Sequence, residues 1–356
     1  MKYSKLSATI PNEVKKMTIS QIAIEAKVSI GTVDRVLHNR GRVAQETKEK
    51  ILAIAKENGY EPNTFARNLK LSKKFTFAII LPRLESEYSY WSLPYEGILK
   101  AKNELSQLSV FIKLIEFDRN DKTSLILALN ELENDEIDGA IIAPVFPEET
   151  KAFLDKKQDL PYVFIDSPLP DLKPLTSLAQ DPYQSGYVAG KMMALLAKEC
   201  GTFIVVESHN DAFNSRERAR GFASFFNSCK ECKVKEALIR FNGDGKEKLQ
   251  RIFTEETDIK GIFIVNDATH RLAEVLDSLS LKKRPLVIGF DLIEQNKEAM
   301  KQGKIDCLIS QRPFYQGYTA LYHLYRKCVL SQEIEEEIVI PIDIVLPENL
   351  SSFDQQ

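Results

Sequence analysis

Beyond Lys74 the chain alternates short apolar runs with amphipathic stretches, and few architectures accommodate that alternation. FTFAIILP, VFIKLIEF, DGAIIAP and PYVFID read as four buried strands; TFIVVES, ALIRF, GIFIVND and PLVIGFD repeat the scheme further on. Near-continuous apolar runs suit strands covered on both faces, as in a parallel sheet. Between them lie segments of helical period such as PYEGILKAKNELSQL and SLILALNELEND. Parallel neighbours need long crossovers, and helices in those crossovers coat both faces of the sheet. Two such sets separated by a long connection predict two similar lobes. A ligand in an open parallel sheet sits beyond the carboxyl ends of the strands. Those ends carry Asp118, Pro144 to Phe146, Asp166, Glu207 to Asn210, Asn266, Asp267 and Asp291. Helix capping explains any single Asp or Asn as well as ligand binding does. As a set, they suit hydrogen bonding to a hydroxyl-rich small molecule.

The first 74 residues differ in charge and in period. They hold 15 Lys or Arg against 7 Asp or Glu, a net of +8, whereas the other 282 hold 33 against 44, a net of −11. A basic segment joined to an acidic body fits a nucleic-acid-binding module on a repelled carrier. A solvated basic tail is the alternative, weakened because the segment has a folding pattern. Ile19, Ile22, Ala23 and Ala26 form one apolar stripe, and Thr18 with Gln21 makes a capping box before it. Val28 to Gly31 interrupt the pattern, and Val33, Val36 and Leu37 resume it, the layout of a helix-turn-helix. A third helix is expected over Gln45 to Asn58, with Ile51, Leu52 and Ala55 as its core stripe, Ile54 widening it and Gly59 as a stop.

The second helix turns Gly31, Thr32, Asp34 and Arg35 away from that core, and such a helix enters the major groove by its N-terminal residues. Arg35 has the fork that grips guanine, and Asp34 can accept from a cytosine amino group. Pairing of Asp34 with Arg35 or with the helix dipole is an equal alternative. Lys48, Arg40 and Arg42 suit phosphate contacts, which add affinity without sequence information.

This stretch resembles the headpiece of the LacI/GalR family of bacterial regulators, and the match runs on into EPNTFARNLK. The resemblance implies DNA contacts from Thr18, Ile30, Gly31, Thr32, Asp34 and Arg35, and from Asn63, Ala66 and Leu69 in a hinge helix ordered on operator DNA. Leu69 takes the place of the leucine wedged into the minor groove, where unstacking a base step is repaid by a bent duplex. Packing of Leu69 on the next domain is the competing reading. Asp34 stands where the family usually has serine, and Ile30 and Gly31 replace bulkier polar residues, so the operator is expected to differ from better-known ones.

The body is similar to periplasmic sugar-binding proteins. SRERARGF resembles the segment in which an arginine three residues before a glycine reaches the ligand, which selects Arg218 before Gly221. By the same resemblance VND supplies Asn266, IGFD supplies Asp291 and ISQRP supplies Gln311. Asp166 lies at a strand end, and Tyr90 and Trp91 lie where relatives often carry cleft aromatics. Phe146, followed by Pro147, replaces polar residues of some relatives and implies a more apolar pocket. The expected fold class is an all-α three-helix HTH headpiece plus an α/β two-lobed periplasmic-binding-protein-like body with parallel sheets. The expected boundaries are an extension over 1–16 with no assigned role, the helix-turn-helix domain over 17–62, the hinge over 63–74 and the body over 75–350. Within the body, lobe one is expected over 75–175 and 312–332, and lobe two over 176–311 and 333–350.

Other motifs carry less. Cys229 and Cys232 form a CxxC, but a four-cysteine site needs a second pair, and Cys200, Cys307 and Cys328 are scattered along the chain. They read as incidental. Gly243-Asp244-Gly245 is a turn without the lysine of a phosphate loop. His38, His209, His270 and His323 show no metal spacing, and no nucleophile–base constellation is visible. The expectation is therefore neither an enzyme nor a metal or cofactor protein. No apolar run approaches the roughly 18 residues of a membrane span. The N-terminus lacks the apolar core of an export signal. Five cysteines do not suggest a disulfide framework, so a reducing cytoplasm is expected. These readings converge on a ligand-responsive transcription regulator, a repressor, working as a homodimer on double-stranded operator DNA with a carbohydrate effector. The alternative is a stand-alone sugar-binding receptor without sequence-specific DNA binding.

Overall fold

The computed structural model describes residues 17–37, 43–58, 60, 74–84, 90–105, 109–132, 135–169, 171–208, 213–241, 243–279 and 281–353. The chain divides into two units, Met1–Lys70 and Leu71–Gln356. The segments expected as extension (1–16) and as hinge (63–74) lie outside the described residues, apart from Lys74.

In the first unit three helices, α1 (Ile19–Ala26), α2 (Ile30–Leu37) and α3 (Gln45–Glu57), share one small core. The expected capping box is present: the Gln21 amide donates to Thr18 Oγ1 (3.3 Å) and the Thr18 amide donates to Gln21 Oε1 (2.8 Å). Lys27, at φ 59°, ends α1 in the left-handed region. Ser29 then starts α2 by accepting from the Thr32 amide (3.2 Å), so the break is shorter than expected and Ile30 and Gly31 are already helical. Ile22, Ala23 and Ala26 meet Val33 and Val36 and Ile51, Ile54 and Ala55. Leu52 is a correction. It is 44% exposed, and Ile54 takes its expected place because α3 presents the 51/54/55 edge of its stripe to the other helices.

The second unit holds two six-stranded sheets. The first runs β11-β5-β4-β3-β1-β2, from β1 (Phe75–Pro82), β2 (Val110–Phe117), β3 (Gly139–Ile142), β4 (Tyr162–Ile165), β5 (Thr176–Ala179) and β11 (Glu337–Val339), all parallel. The second runs β12-β10-β9-β8-β6-β7, from β6 (Thr202–Glu207), β7 (Lys233–Leu238), β8 (Ile259–Ile264), β9 (Leu286–Phe290), β10 (Cys307–Ser310) and β12 (Asp343–Val345), the last antiparallel to β10. The alternation of side chains along a strand supplies both faces of each sheet. Phe77, Ile79 and Leu81 enter one core and Ala78 and Ile80 the other, just as Ile204 and Val206 face away from Phe203 and Val205.

The crossover helices are α4 (Ser92–Glu104), α5 (Lys122–Asn130) and α6 (Pro147–Lys156) in the first lobe, and α7 (Pro182–Ala197), α8 (Phe213–Phe226), α9 (Gly245–Glu255), α10 (Thr269–Ser278) and α11 (Glu294–Lys301) in the second. A late helix, α12 (Pro313–Leu324), returns to pack on the first. The pair α7 and α8 approaches unusually closely, at two places. A Cβ on Gly186 of α7 would collide with the Arg218 carbonyl of α8, and one on Gly221 with the Tyr183 carbonyl.

The expected lobe boundaries need correction at both ends. Thr176–Ala179 hydrogen-bonds into the first sheet, as does Glu337–Val339, whereas both were expected in lobe two. Both are short strands at or next to the sheet edge, and a local pattern does not say which of two similar sheets a strand joins. The strand expected at ALIRF is instead Lys233–Leu238, an edge strand with no fully buried residue, on which Lys233, Glu236 and Leu238 are exposed and no alternating period shows.

Three crossings join the lobes: after β5, after β10 and between β11 and β12. Gln180 ties them together, its Nε2 donating to the Ser310 carbonyl (3.1 Å) and the Pro341 carbonyl (2.8 Å). Arg312, at φ 50°, makes a two-pronged ion pair with Asp343 (2.7 and 2.9 Å).

Candidate functional site

The strand order places the topological switch points between β1 and β3 and between β6 and β8. The strand ends there open into one cleft between the lobes. Its walls include Tyr90, Trp91, Arg119, Val145 and Asp166 from the first lobe and Asn214, Arg218, Asn266, Asp267 and Asp291 from the second, with Gln311 on a crossing.

Asp166 and Asp291 are counterparts. Each follows the equivalent strand of its sheet (β4 and β9) and is left-handed, at φ 70° and 69°. Their amides donate to the next strand, to Leu178 O (3.1 Å) and Ile309 O (2.9 Å). A non-glycine residue in this region costs of order 1 kcal/mol or more and is held by its surroundings. Here the turn swings both carboxylates into the cleft. Tyr90 donates its hydroxyl to Asp166 Oδ1 (2.6 Å), and Asn214 Nδ2 reaches across the cleft to Asp166 Oδ2 (2.8 Å). Gln311 Nε2 donates to Asp291 Oδ1 (3.1 Å). Burial pushes the Asp166 carboxyl above the usual carboxylate range and Asp291 well above it, with Arg218 pulling both back down. Burial likewise pushes the Tyr90 phenol well up, and Asp166 adds to the rise.

Arg218, only 3% exposed, lies over the Phe290 ring at 3.9 Å from its centroid. It donates to Val265 O (2.9 Å) and to Gln311 Oε1 (2.9 Å). Its Nε and the indole Nε1 of Trp91 are buried and have no hydrogen-bond partner among the described residues. Unmatched buried donors are rare because each forfeits its hydration, so two in one cleft mark places for acceptors. Asn266 Nδ2 donates to Ser208 Oγ (2.6 Å), and Arg119 pairs with Asp267 across the lobes (3.3 Å). The enclosed space is about 40 Å³. That holds a few waters, whereas a benzene-sized guest takes about 150 Å³.

Seven of the eight expected cleft residues therefore come together: Tyr90, Trp91, Asp166, Arg218, Asn266, Asp291 and Gln311. Phe146 does not line the cleft. It packs on Phe117 (6.2 Å between centroids) just before α6, and the cleft is rich in carboxylate and guanidinium rather than apolar. Two other strand-end candidates also fall elsewhere. Asp118 pairs with exposed Arg83 (3.9 Å), and Glu207 lies in a separate groove with Tyr183, Arg216 and Glu236. His209 and Asn210 lie outside the described residues. Sequence reasoning missed Asn214, Arg119 and Gln316. Asn214 had a signal, since it sits one helical turn before Arg218 on the same face. Gln316 acts behind the wall, accepting from the Asp166 amide (2.7 Å) and donating to Gln311 O (2.7 Å).

In the first unit, Ile30 is 55% exposed, Gly31 and Arg35 are exposed, and Thr32 and Asp34 are half-buried. Each of the two half-buried residues has a neighbour in the same unit. Thr32 Oγ1 meets Ser29 Oγ (2.9 Å), and the Asp34 charge raises the Tyr60 phenol, second to burial. Thr18 is exposed at the start of α1. Asn63, Ala66 and Leu69 lie outside the described residues, as do Arg40 and Arg42.

A two-lobed α/β body with a polar cleft between its lobes stands in one chain with a three-helix helix-turn-helix unit, and this defines the class of fold. Residues 77–329 match the periplasmic binding protein domain, and residues 18–63 match the lacI family of bacterial regulatory proteins. The chain belongs to the periplasmic binding protein domain family over the larger part of its length, and its N-terminal unit carries the lacI-family match. It is similar to catabolite control protein A of Staphylococcus xylosus, 28% identical over 39% of this chain and 41% of that one. It is also similar to the sucrose operon repressor of Klebsiella pneumoniae, 30% identical over 46% of this chain and 48% of that one. The matched part spans less than half the length of each of these curated relatives. A crystal structure assigned as a LacI transcriptional regulator from Bacteroides fragilis superposes with a TM-score of 0.74 at 27% identity, over 79% of this chain and all of that one.

Proposed function

We propose that this protein is a transcription repressor whose affinity for operator DNA is set by a small sugar or sugar derivative bound between the lobes. One observation supports the reading above others. A cleft with two unmatched buried donors and two buried carboxylates belongs to the same chain as a lacI-type three-helix unit. The exposed N-terminal part of α2, with Ile30, Gly31 and Arg35, supports base reading in the major groove, helped by Thr32 and Asp34. Thr18 at the start of α1 is suited to a phosphate. Asn63, Ala66 and Leu69 extend the contact to the minor groove, with Leu69 as the wedge. Two half-sites call for a two-fold homodimer acting in the cytoplasm.

Trp91 Nε1 and Arg218 Nε offer donors to the ligand, while Asp166, Asp291, Asn266 and Gln311 offer acceptors and amides to its hydroxyls. Three aspartates against two arginines around the cleft favour a neutral ligand over a phosphorylated one. Thermal-shift screening with neutral sugars and their phosphates tests the ligand class, because a bound ligand raises apparent stability. Footprinting on the upstream region of its own gene, with and without the hits, tests the regulator. Equal binding to random DNA at physiological salt rejects it in favour of a stand-alone receptor. Arg35→Ala is expected to remove operator preference while the thermal response to sugar survives.

A further inference from the structure

The CxxC read as incidental in sequence acquires a third cysteine in the fold. The Sγ atoms of Cys200, Cys229 and Cys232 lie within 4.8 Å of one another. Cys200 follows α7, Cys229 follows α8 and Cys232 directly precedes β7, so the cluster is assembled from three elements. Cys200 Sγ and Cys229 Sγ are 3.6 Å apart. A disulfide brings sulfurs to about 2.05 Å. Zinc bound to thiolates at about 2.3 Å in a tetrahedron sets them about 3.8 Å apart. The spacing therefore fits joint coordination of one ion rather than a bond between sulfurs. Cys200 is exposed and the other two are half-buried, which gives an ion a route from solvent. The two remaining cysteines are apart from the cluster: Cys307 is buried on β10, and Cys328 packs in the first lobe.

We propose that Cys200, Cys229 and Cys232 form a thiolate site for Zn²⁺, with water as the fourth ligand. Each coordinating thiol gives its proton to solvent, and no electron is transferred. The ion clips the C-terminal ends of α7 and α8 to the start of β7. It lies far along α8 from Asn214 and Arg218, so it acts as a brace for the helix that carries them.

The test uses the full chain, reduced and stripped of metal with a chelator, then titrated with Co²⁺ and Zn²⁺. The expected result is one Co²⁺ per chain with thiolate charge-transfer absorption and tetrahedral d–d bands, displaced by Zn²⁺, and a higher Tm with Zn²⁺. Cys200→Ser, Cys229→Ser and Cys232→Ser are each expected to weaken Co²⁺ at least tenfold, while Cys328→Ser leaves the spectrum unchanged. Circular dichroism and the metal-free Tm of each variant separate lost coordination from lost folding. Absence of the charge-transfer band in the reduced wild type overturns the proposal, as does its survival in the triple serine variant. A Cys200–Cys229 disulfide on air exposure, in a protein that takes up no metal when reduced, overturns it in favour of a redox pair.

Discussion

At Asp291 the proposed binding role and the stability of the fold oppose each other. Its carboxyl is buried, and burial holds its pKa well above the ordinary value of about 4. A carboxylate raised in the folded state favours folding below the unfolded pKa, and this contribution is lost as pH rises through the folded pKa. At a pH well above its ordinary pKa this desolvated group is therefore a burden on the ligand-free protein, whichever form it holds. Asp291→Asn keeps an oxygen for Gln311 and removes the charge. It is expected to raise the Tm of the ligand-free protein at pH 7–8, to shrink its gain in stability on acidification toward pH 5, and to weaken the ligand at least tenfold. A lower Tm at pH 8, measured by calorimetry, refutes this account. Gly31 makes a second residue-level case. A Cβ there meets nothing closer than Ser29 Oγ at 3.8 Å and Arg35 at 3.9 Å, so alanine fits and gains about 0.5–1 kcal/mol of helix propensity. If Gly31 lets the helix approach DNA closely, Gly31→Ala stabilises the headpiece against denaturant and still lowers operator affinity. Unchanged affinity removes the glycine from the interface.

The helices hold these residues in place, most directly where α7 and α8 cross. The backbone of Arg218 rests on Gly186, and Gly221 rests on the backbone of Tyr183. Gly186→Ala forces the two helices apart, and overpacking of this kind costs about 1–3 kcal/mol. Because α8 carries Asn214 and Arg218, ligand affinity is expected to fall more than stability alone explains, by tenfold or more at a temperature where the variant is fully folded. Titration against wild type, with folding verified by circular dichroism, decides the point. Elements of this kind were legible in sequence where a long stripe or an apolar run marked them. The strands ending at Asp166 and Asp291 were readable because PYVFID and IGFD run apolar into a polar residue. TSLA was not, since only Thr176 and Leu178 of its four residues are buried. Leu52 and Ile54 flank the same helical stripe, and only packing of α3 against its neighbours decides which one turns inward. Arg119 and Gln316 were illegible for a stronger reason. Their roles depend on Asp267 and Asp166, which are 148 and 150 residues away.

Over the whole body, two lobes of the same strand order differ mainly at their last strand, and three chain crossings connect them. Arg119–Asp267 and Asn214–Asp166 close the cleft from its walls, so opening breaks both. Ile293, from the second lobe, is also packed into the first lobe's core. The crossings themselves are coordinated by Gln180, which is 2% exposed and bonds to both of the other two. Gln180 is not among the residues that line the cleft, so its removal tests the hinge while the cleft's own side chains stay in place. Gln180→Ala leaves the Ser310 and Pro341 carbonyls short of a donor, which costs about 1–3 kcal/mol. It also lets the three crossings move independently. A ligand controls DNA only through the difference between its affinities for the two lobe arrangements. With the crossings uncoupled, closure is no longer transmitted as one motion. The expected outcome is ligand affinity within about threefold of wild type, operator affinity near wild type without ligand, and a reduced ratio of operator affinities with and without it. Fluorescence anisotropy on labelled operator, at zero and saturating ligand, measures that ratio. An unchanged ratio in a folded Gln180→Ala protein shows that the crossings do not carry the signal, and directs attention to the latches across the cleft.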